Sequence, residues 1–355
     1  MKTIVKITLI LFLIPSFLFA NEFSGKHTKT KTFMEEFNIS ADGLVHIHNK
    51  YGSIDIKSWD QNKVSIEVII TTNGNSESNV QDGLDRIDVQ FKNSNNEVSA
   101  RTRIEKKNNW SWFGNSNNVN MDIKYIVRMP VSNNLDVSMD YGDVMIDKLE
   151  GSANIDIDYG KLIAGELLNA HNDINMDYST ASSIDVLTNG IINIDYSTIE
   201  VGESKNIDLN SDYSNTTFIN VENLTFDCDY GNLIVDNAEK IIGDSDYLDL
   251  KIGKITDTFK ITADYGNLKI RELDMNFNLI DLETEYMGVK IGVDKNCSFS
   301  LIADMQYGSL QVPDNFNMTK QIEKNSRKQY EGTYNGTGGK ININSQYGSV
   351  KIYKN

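Results

Sequence analysis

Apolar and polar residues alternate along most of this chain, and the alternation is organised around one recurring residue, tyrosine. Twelve tyrosines share this local context: Tyr51, Tyr141, Tyr159, Tyr178, Tyr196, Tyr213, Tyr230, Tyr247, Tyr265, Tyr286, Tyr307 and Tyr347. From Tyr141 to Tyr265 they recur every 17 to 19 residues. This period is too short for a helical-repeat unit and is close to one turn of a β-solenoid.

The residues before each tyrosine predict a strand with one inward face. The position four residues earlier is apolar in every repeat except at Gly243, and the position two residues earlier is small or adaptable, as at Met139 and Cys228. Because a strand places alternate residues on opposite faces, these two columns and the tyrosine itself are predicted to point inward.

The residues after each tyrosine predict a corner and a second strand. The apolar positions are now the third and fifth residues after the tyrosine, as at Ile54 and Ile56. Ala181 belongs to the column of third residues. This change of parity requires the chain to turn. Glycine directly follows seven of the tyrosines, where its freedom to take a positive φ is expected to be used. Serine replaces glycine in the middle repeats, at Ser179, Ser197 and Ser214.

These columns predict an all-β fold, a parallel β-solenoid (β-helix) with about 17–21 residues per coil. Right-handed winding is favoured, because the glycine-led hexapeptides of left-handed solenoids are missing. At a strand spacing of about 4.8 Å, twelve coils would form a rod on the order of 55 Å long.

Two interruptions of the period divide the chain. The predicted domains are a signal peptide at 1–20, an N-terminal β-rich region at 21–135 that begins or caps the solenoid, and the solenoid repeats at 136–355. A helix is predicted within the N-terminal region at 77–87. A cap or hairpin insertion is predicted at 313–340, where turn-forming glycines cluster before the last coil.

The N-terminus predicts export. Lys2 and Lys6 precede an apolar run at 7–19 that closes on Ala20, as in a secretory signal peptide. The run is shorter than the roughly 20 residues that span a bilayer, and no later stretch is apolar enough to do so. We therefore expect a protein that is not integral to the membrane and is periplasmic, outer-surface-associated or extracellular.

Charge and cysteine usage narrow the function classes. Without the lysines of the signal segment, 32 basic and 50 acidic residues remain, so nucleic acid is excluded as a partner.

Cys228 and Cys297 stand about four coils, or roughly 19 Å, apart, beyond the reach of a disulfide. Two free buried thiols are predicted.

An acidic column precedes the tyrosines. Its members are Asp140, Asp158, Asp177, Asp195, Asp212, Asp229, Asp246, Asp264 and Glu285, followed by Gln306 and Gln346. Parity places the column outward, where neighbouring carboxylates would repel each other by about 1 kcal/mol. One interpretation is a calcium-lined edge. The favoured one is that each aspartate caps its own corner by accepting a backbone N–H, since the glycine-rich nonapeptides of calcium-binding solenoids are missing.

Two aromatic features could contact a ligand. The tyrosine column could stack on sugars, but the parity argument favours packing inside the corner. Trp110, Trp112 and Phe113 lie between two predicted strands. They could anchor a glycan, an envelope protein or a membrane surface, or fold back over the end of the rod as a cap. The sequence leaves these alternatives for the loop open, and it leaves the oligomeric state open too.

Catalysis is not favoured. An enzyme acting on acidic polysaccharides needs a base beside an anionic substrate or an acid with a raised pKa. Between Tyr141 and Tyr307 the chain has one arginine, Arg271, and one histidine, His171. No catalytic, cofactor-binding or metal-binding residue is assigned, and no cofactor is expected.

The repeat also resembles a known family. The corners MDYGDV at 139–144, CDYGNL at 228–233 and QYGSL at 306–310, with the opening VHIHNKYGSIDI at 45–56, resemble the bacterial β-strand-repeat putative adhesins. The resemblance covers most of the chain after the signal segment and implies a scaffold with no assigned catalytic residues. The predicted function is a non-catalytic interaction module of the cell envelope or surface. The alternatives are a secreted β-helix polysaccharide lyase or hydrolase, and a protein of envelope-stress sensing or structure.

Overall fold

A computed structural model describes residues 24–105 and 119–355, and these residues form an all-β fold. The first part contains seven elements: β1 (His27–Asn38), β2 (Leu44–Trp59), β3 (Lys63–Gly74), α1 (Glu77–Asp85), β4 (Ile87–Asn93), β5 (Glu97–Ile104) and β6 (Asn120–Pro130). The predicted helix is therefore present. β3 pairs in antiparallel fashion with β1 and β6, and β5 with β4. β5 and β6 then pair in parallel with the two halves of β2, so this part leads directly into the repeats.

The middle of the chain is a series of parallel strands. They are β7 (Asn134–Leu149), β8 (Ala153–Asp158), β9 (Lys161–Leu167), β10 (Asn172–Asp177), β11 (Ser182–Asp195), β12 (Thr198–Asp212), β13 (Asn215–Leu273) and β14 (Leu279–Val293). Strands before the tyrosines pair with the equivalent strands of the next repeat, as Asn193 pairs with Asn210. Strands after the tyrosines do the same, as Val201 pairs with Phe218. The predicted parallel pairing in register is thus present.

The last repeats do not follow chain order. The C-terminal strands are β15 (Phe299–Gln306), β16 (Ser309–Gln311), β17 (Asn317–Lys324), β18 (Arg327–Tyr334), β19 (Gly339–Gln346) and β20 (Ser349–Lys354). β19 inserts between β14 and β15, and β20 inserts between β14 and β16. The β17–β18 hairpin, predicted as an insertion, pairs in antiparallel fashion with the outer edge of β15. It covers an edge that would otherwise be open to another strand.

The core follows the apolar columns. The residues four and two before the tyrosine, and those three and five after it, are buried in most repeats. The residue directly after the tyrosine is buried in five repeats, at Ser179, Ser197, Ser214, Leu248 and Met287, and is a half-buried glycine in the other seven. Ala181 is an exception: it is exposed and has a φ of 58°, so the inward positions of its repeat move on by one residue, to Ser182 and Ile184. That repeat contains one extra residue at its corner, which the column alignment did not detect.

The corner glycines are needed for close approach more than for positive φ. Among the seven that follow one of the twelve tyrosines, Gly52 and Gly266 have φ between 20° and 160°. A Cβ at Gly160 would lie 1.8 Å from the carbonyl oxygen of Gly142, and one at Gly231 would lie 2.0 Å from that of Ser214. The expectation of a positive φ at these glycines was therefore wrong for most of them, because the preceding tyrosine makes the turn.

Both cysteines are free and buried, as predicted. Burial raises the pKa of Cys228 to about 12 and that of Cys297 to about 11. The thiols are therefore held in the protonated, unreactive form.

Two predicted features lie outside the described residues. One is the signal segment at 1–20, and the other is the group Trp110, Trp112 and Phe113. Within the described ranges, the structure contains no helix with the length and apolarity needed to span a bilayer.

Deleting residues 339–355 tests the insertion of the last repeat. β14 and β15 would lose the partner between them, so we expect amide protection to fall from β14 to β18 and to persist from β8 to β12, because each repeat contacts only its neighbours. Hydrogen exchange followed by mass spectrometry measures amide protection in both regions. Removal of 354–355 alone should change little. Unchanged protection of β15 in the longer deletion would contradict the topology.

Candidate functional site

The twelve tyrosines form one continuous stack, which we call the tyrosine ladder. Consecutive ring centroids lie 4.7–5.4 Å apart and the ring planes are inclined by at most 18°. The order in space is the order in sequence until Tyr286, which stacks on Tyr347, and Tyr347 stacks on Tyr307. At the spacing of strands in a sheet, the eleven steps extend over roughly 50–55 Å.

The ladder is on the surface, so the prediction that its tyrosines pack inward was wrong. Eleven of the twelve are exposed by 41–58%. Every one has a left-handed backbone, with φ between 50° and 64°. The alternation of faces holds only while the backbone is extended. The left-handed residue breaks it, so that the acidic residue and the tyrosine after it both point outward and the next residue points inward.

A sequence signal for this arrangement exists at the position after the tyrosine. Leu248 and Met287 occupy it in two repeats, and both are buried. One inward residue lies directly after the tyrosine, and another lies two positions before it. The two consecutive residues between them, the acidic residue and the tyrosine, must therefore both point outward. The glycines and serines of the other repeats conceal this pattern.

Hydrogen bonds between repeats hold the left-handed corner. The backbone N–H of Tyr159, Tyr178, Tyr196 and Tyr213 each donates to the carbonyl oxygen of the aspartate that precedes the next tyrosine, at 2.9–3.1 Å. Tyr347 donates likewise to Gln306 at 2.8 Å. The corner is thus secured by the neighbouring repeat and could not be maintained by one repeat alone.

Serine adds a second set of bonds beneath the middle of the ladder. The buried Ser197 donates its hydroxyl to the carbonyl oxygen of Asp195 at 2.8 Å, and its Oγ accepts the N–H of Ser179 at 2.9 Å. Ser214 repeats the pattern with Asp212 and Ser197. In these repeats the hydroxyl accepts the N–H of the serine in the preceding repeat, and it adds a second donor to an aspartate carbonyl oxygen that already accepts a tyrosine N–H.

At each tyrosine, the free-energy cost of the left-handed backbone is similar in size to the stabilisation from ring stacking and from the backbone hydrogen bond. A left-handed backbone costs a non-glycine residue about 1–2 kcal/mol. A stacked aromatic pair contributes about 0.5–1.5 kcal/mol and a backbone hydrogen bond about 1 kcal/mol. The stack therefore offsets the backbone cost repeat by repeat, without burying the rings.

The ladder presents ring edges and hydroxyl groups to solvent. Because the ring faces cover each other, a sugar cannot stack between two neighbours. Desolvation, then the adjacent tyrosines, raises the pKa of Tyr159 and Tyr230, so these phenols stay protonated and can donate hydrogen bonds. The exposed surface is a straight strip of apolar edge tipped with regularly spaced hydroxyls.

The acidic column runs beside the ladder, because both residues of the corner point outward. Desolvation, then repulsion by Asp195 and Asp158, raises the pKa of Asp177. Desolvation, then Asp195 and Asp229, does the same at Asp212. At the start of the column, Asp140 is paired with Lys50 at 3.0 Å.

Self-capping by these aspartates is not what the hydrogen bonds show. The Oδ1 of Asp229 accepts the N–H of Asp246, which belongs to the next repeat, at 2.9 Å. Beside the column, the side-chain amide of Asn193 donates to Asn175 Oδ1 and that of Asn210 donates to Asn193 Oδ1, both at 2.8 Å. The polar side chains of this face thus link repeats rather than close single turns. Across 24–105 and 119–355, no group of three or more His, Cys, Asp or Glu side chains is placed to hold a metal ion.

The residues considered for catalysis are not brought together. His171 lies in the turn before β10 and Arg271 near the end of β13, five repeats further along. The groove along the acidic column, of about 410 Å³, is lined by carboxylates and amides such as Asp156 and Asn193 and contains no basic side chain.

Several solved structures are similar to this chain at low identity. A putative cell adhesion protein from Clostridium sporogenes is 10% identical, with 92% of this chain and 100% of that chain covered and a TM-score of 0.20. A putative adhesin from Parabacteroides distasonis is 8% identical, with 91% and 97% covered and a TM-score of 0.33. A putative lipid binding protein from the same species is 10% identical, with 90% and 96% covered and a TM-score of 0.30.

The first two names agree with the adhesin resemblance seen in the corner motifs. No family model and no curated protein matches the sequence. No functional residue is taken from these likenesses.

Substituting Tyr213 tests the left-handed corner. Tyr213→Asn removes two stacking contacts but keeps a residue that tolerates this backbone, whereas Tyr213→Val adds the strain of a β-branched side chain. We expect the valine variant to be less stable than the asparagine variant by about 1–2 kcal/mol in urea unfolding. Thr217→Val, on the following extended strand, is the control and should not destabilise. Equal stability of the two Tyr213 variants would contradict the assignment.

Neutralising the acidic column should stabilise the protein at neutral pH. The folded-state pKa of Asp177 and of Asp212 is raised, so ionisation costs folding energy above that pKa and the cost disappears as pH falls through it. Asp177→Asn with Asp212→Asn should raise Tm by about 2 °C at pH 7, and the gain should shrink toward about pH 4. Thermal melts across this range measure the effect.

Asp42→Asn with Asp60→Asn is the control matched for charge, because both residues are exposed in the turns on either side of β2 and lie outside the column. This control should leave Tm nearly unchanged. A double variant of Asp177 and Asp212 that is less stable than the wild-type protein at pH 7 would show that the carboxylates stabilise the corner.

Proposed function

We propose that this protein is an exported, non-catalytic interaction module of the bacterial cell envelope or surface, and that the tyrosine ladder is its contact surface. The observation that carries the proposal is the ladder itself: a strip of stacked, half-exposed rings built on a left-handed residue in every repeat. Glycine or asparagine would take that backbone at lower cost. The use of tyrosine at all twelve corners favours a role for the side chain.

The scaffold proposed for this surface is the β-solenoid. Parallel pairing between strands one repeat apart, on both sides of the tyrosine, supports winding of the chain into coils. The proposed division remains a signal peptide at 1–20, a β-rich region at 21–135 and the repeats at 136–355, with the hairpin covering one edge. Export through the signal peptide would place the ladder outside the cytoplasm.

The chemistry of the ladder fits contact with another surface. Tyrosine provides a large, rigid and amphipathic contact area at low conformational cost, and it is enriched in protein interfaces. The flanking acidic column would repel an anionic ligand. The partner we propose for this face is therefore neutral or basic, either a neutral glycan or an envelope protein, and it would lie along the strip rather than enter a pocket.

A purely structural role is the second candidate, because the stack also offsets the cost of the corner. Two triple variants separate the roles. Replacing Tyr196, Tyr213 and Tyr230 with phenylalanine keeps the stack and removes the hydroxyls. Replacing the same three with asparagine removes the rings and keeps the left-handed backbone.

The test measures binding of the mature protein to a glycan array and to isolated bacterial envelope fragments, with release of reducing ends assayed in parallel. We expect the asparagine variant to bind at least about tenfold more weakly than the wild-type protein, and the phenylalanine variant to lie between them. Tyr353→Asn, outside the ladder, is the control. A folded asparagine variant that binds like the wild-type protein would leave only the structural role, and release of reducing ends would indicate an enzyme.

A further inference from the structure

A row of basic side chains lies on the outward face of the strand that follows the tyrosine in the last repeats. It consists of Lys251, Lys269, Lys290 and Lys351, each four residues after its tyrosine, and we call it the lysine row. Lys269 pairs in register with Lys290, and Lys290 with Lys351. All four lysines are exposed.

The position of Lys251 follows from the residues around it. Tyr247 and Tyr265 are stacked at 4.7 Å, and the amide of Asn267 donates to Asp249 Oδ1 at 2.9 Å. Both contacts join equivalent positions of the two repeats. Lys251 therefore lies beside Lys269, one strand spacing of about 4.8 Å away.

The lysine row lacks the ion pairs that lysines make elsewhere in the repeats. Lys148 pairs with Glu166 at 2.8 Å, and Lys161 pairs with Asp143 at 3.4 Å, in both cases across neighbouring repeats. Among the described residues, by contrast, no carboxylate lies within 4.0 Å of the amino group of any lysine in the row. Four like charges at this spacing repel each other by about 1 kcal/mol per neighbouring pair in water. A bound anion would remove that cost.

The lysine row borders a groove that contains further hydrogen-bonding groups. The groove has a volume of about 410 Å³ and is lined also by Asn267, Gln311, Ser309 and Ser349. Gly288 lies between Asn267 and Ser349 in the column two residues after the tyrosine, where neighbouring repeats carry polar side chains. The missing side chain leaves a notch on the outward face that carries the lysine row, where a Cβ would lie 3.1 Å from Asn267 Oδ1.

We propose that this groove binds a linear polyanionic glycan, a chain carrying carboxylate or sulfate groups, laid along the lysine row. The ammonium groups would pair with successive anionic groups, while the amide and hydroxyl side chains would donate to sugar oxygens near the notch. Arg271, two residues beyond Lys269 on the same outward face, is exposed and adds a fifth cation. The groove is distinct from the tyrosine ladder, so the proposal goes beyond the proposed function and can fail without it.

A linear chain fits the charge distribution better than a membrane or a nucleic acid. The row is a single file of cations in a protein with a formal net charge of −16, and Asp249 lines one end of the groove. A flat anionic membrane would also approach the surrounding carboxylates and be repelled. A single-stranded nucleic acid would need aromatic side chains on which its bases could stack, and the groove lining has none.

The test uses the full mature chain with heparin as a sulfated polysaccharide, polygalacturonate as a uronate polymer and neutral dextran. Titration calorimetry at several NaCl concentrations should show binding to heparin, polygalacturonate or both, and none to dextran. The logarithm of the association constant should fall with the logarithm of salt concentration with a slope of about −3. Replacing Lys269, Lys290 and Lys351 with glutamine leaves Lys251 and Arg271, so binding should weaken at least about tenfold and the slope should flatten to about −1.

Two further variants make the result specific. Lys148→Gln, Lys161→Gln and Lys320→Gln together remove the same charge from lysines that already have carboxylate partners, and this variant should bind like the wild-type protein. Gly288→Gln fills the notch without changing charge and should weaken binding. A Cβ at this position would lie 3.1 Å from Asn267 Oδ1, so Tm is measured in parallel to separate lost binding from lost stability.

Three results would overturn the proposal. They are failure of the wild-type protein to bind either polyanion, an equal loss in the two triple-lysine variants, or lysine-row-dependent binding to phosphatidylglycerol vesicles without binding to the polyanions.

Discussion

Every repeat of this protein depends on its neighbour to hold one tyrosine in a left-handed backbone. The tyrosine N–H donates to the next repeat, its ring stacks between two other rings, and the following glycine or serine fits against the backbone one repeat away. These contacts require the repeats to be parallel and in register. A shift of one residue would separate the rings and bring a Cβ into a carbonyl oxygen. The corner therefore fixes the register for the strands on both sides of it.

The same corner explains the surface. Because two consecutive residues point outward, each of the nine repeats from Asp140 to Glu285 adds a carboxylate and a phenol to two adjacent columns. The carboxylates repel each other, and the pKa of Asp177, Asp212 and others is raised by desolvation and by that repulsion. Further along the strand, the outward positions differ between the early and late repeats. There the lysine row replaces a mixed column of earlier repeats, which holds Asp55, Met145, Ile163, Ser183, Glu200, Thr217 and Ile234. The repeat thus carries different surfaces on one backbone.

Much of the fold could be predicted from the sequence, because apolar columns report which residues face the core. The parallel pairing, the helix at α1, the hairpin and the buried cysteines all followed from periodicity or turn residues. The outward direction of the tyrosine side chains did not, because the alternation of inward and outward residues does not continue through a residue with a left-handed backbone. Insertion of β19 between β14 and β15 could not be found either. Aligned columns show which residues are equivalent but not which repeats are neighbours in space. Tyr307 and Tyr347 occupy the same column, so the alignment does not tell which of them lies next to Tyr286.

The central claim is that the tyrosines form an exposed ladder and not part of the core, and selective nitration measures this most directly. The native protein would be treated with a nitrating reagent and the modified residues identified by mass spectrometry. Tyr125 and Tyr334 are buried and serve as internal references. We predict that the exposed ladder tyrosines, from Tyr141 to Tyr347, are modified while Tyr125 and Tyr334 are protected. Ladder tyrosines as well protected as Tyr125 would contradict the account.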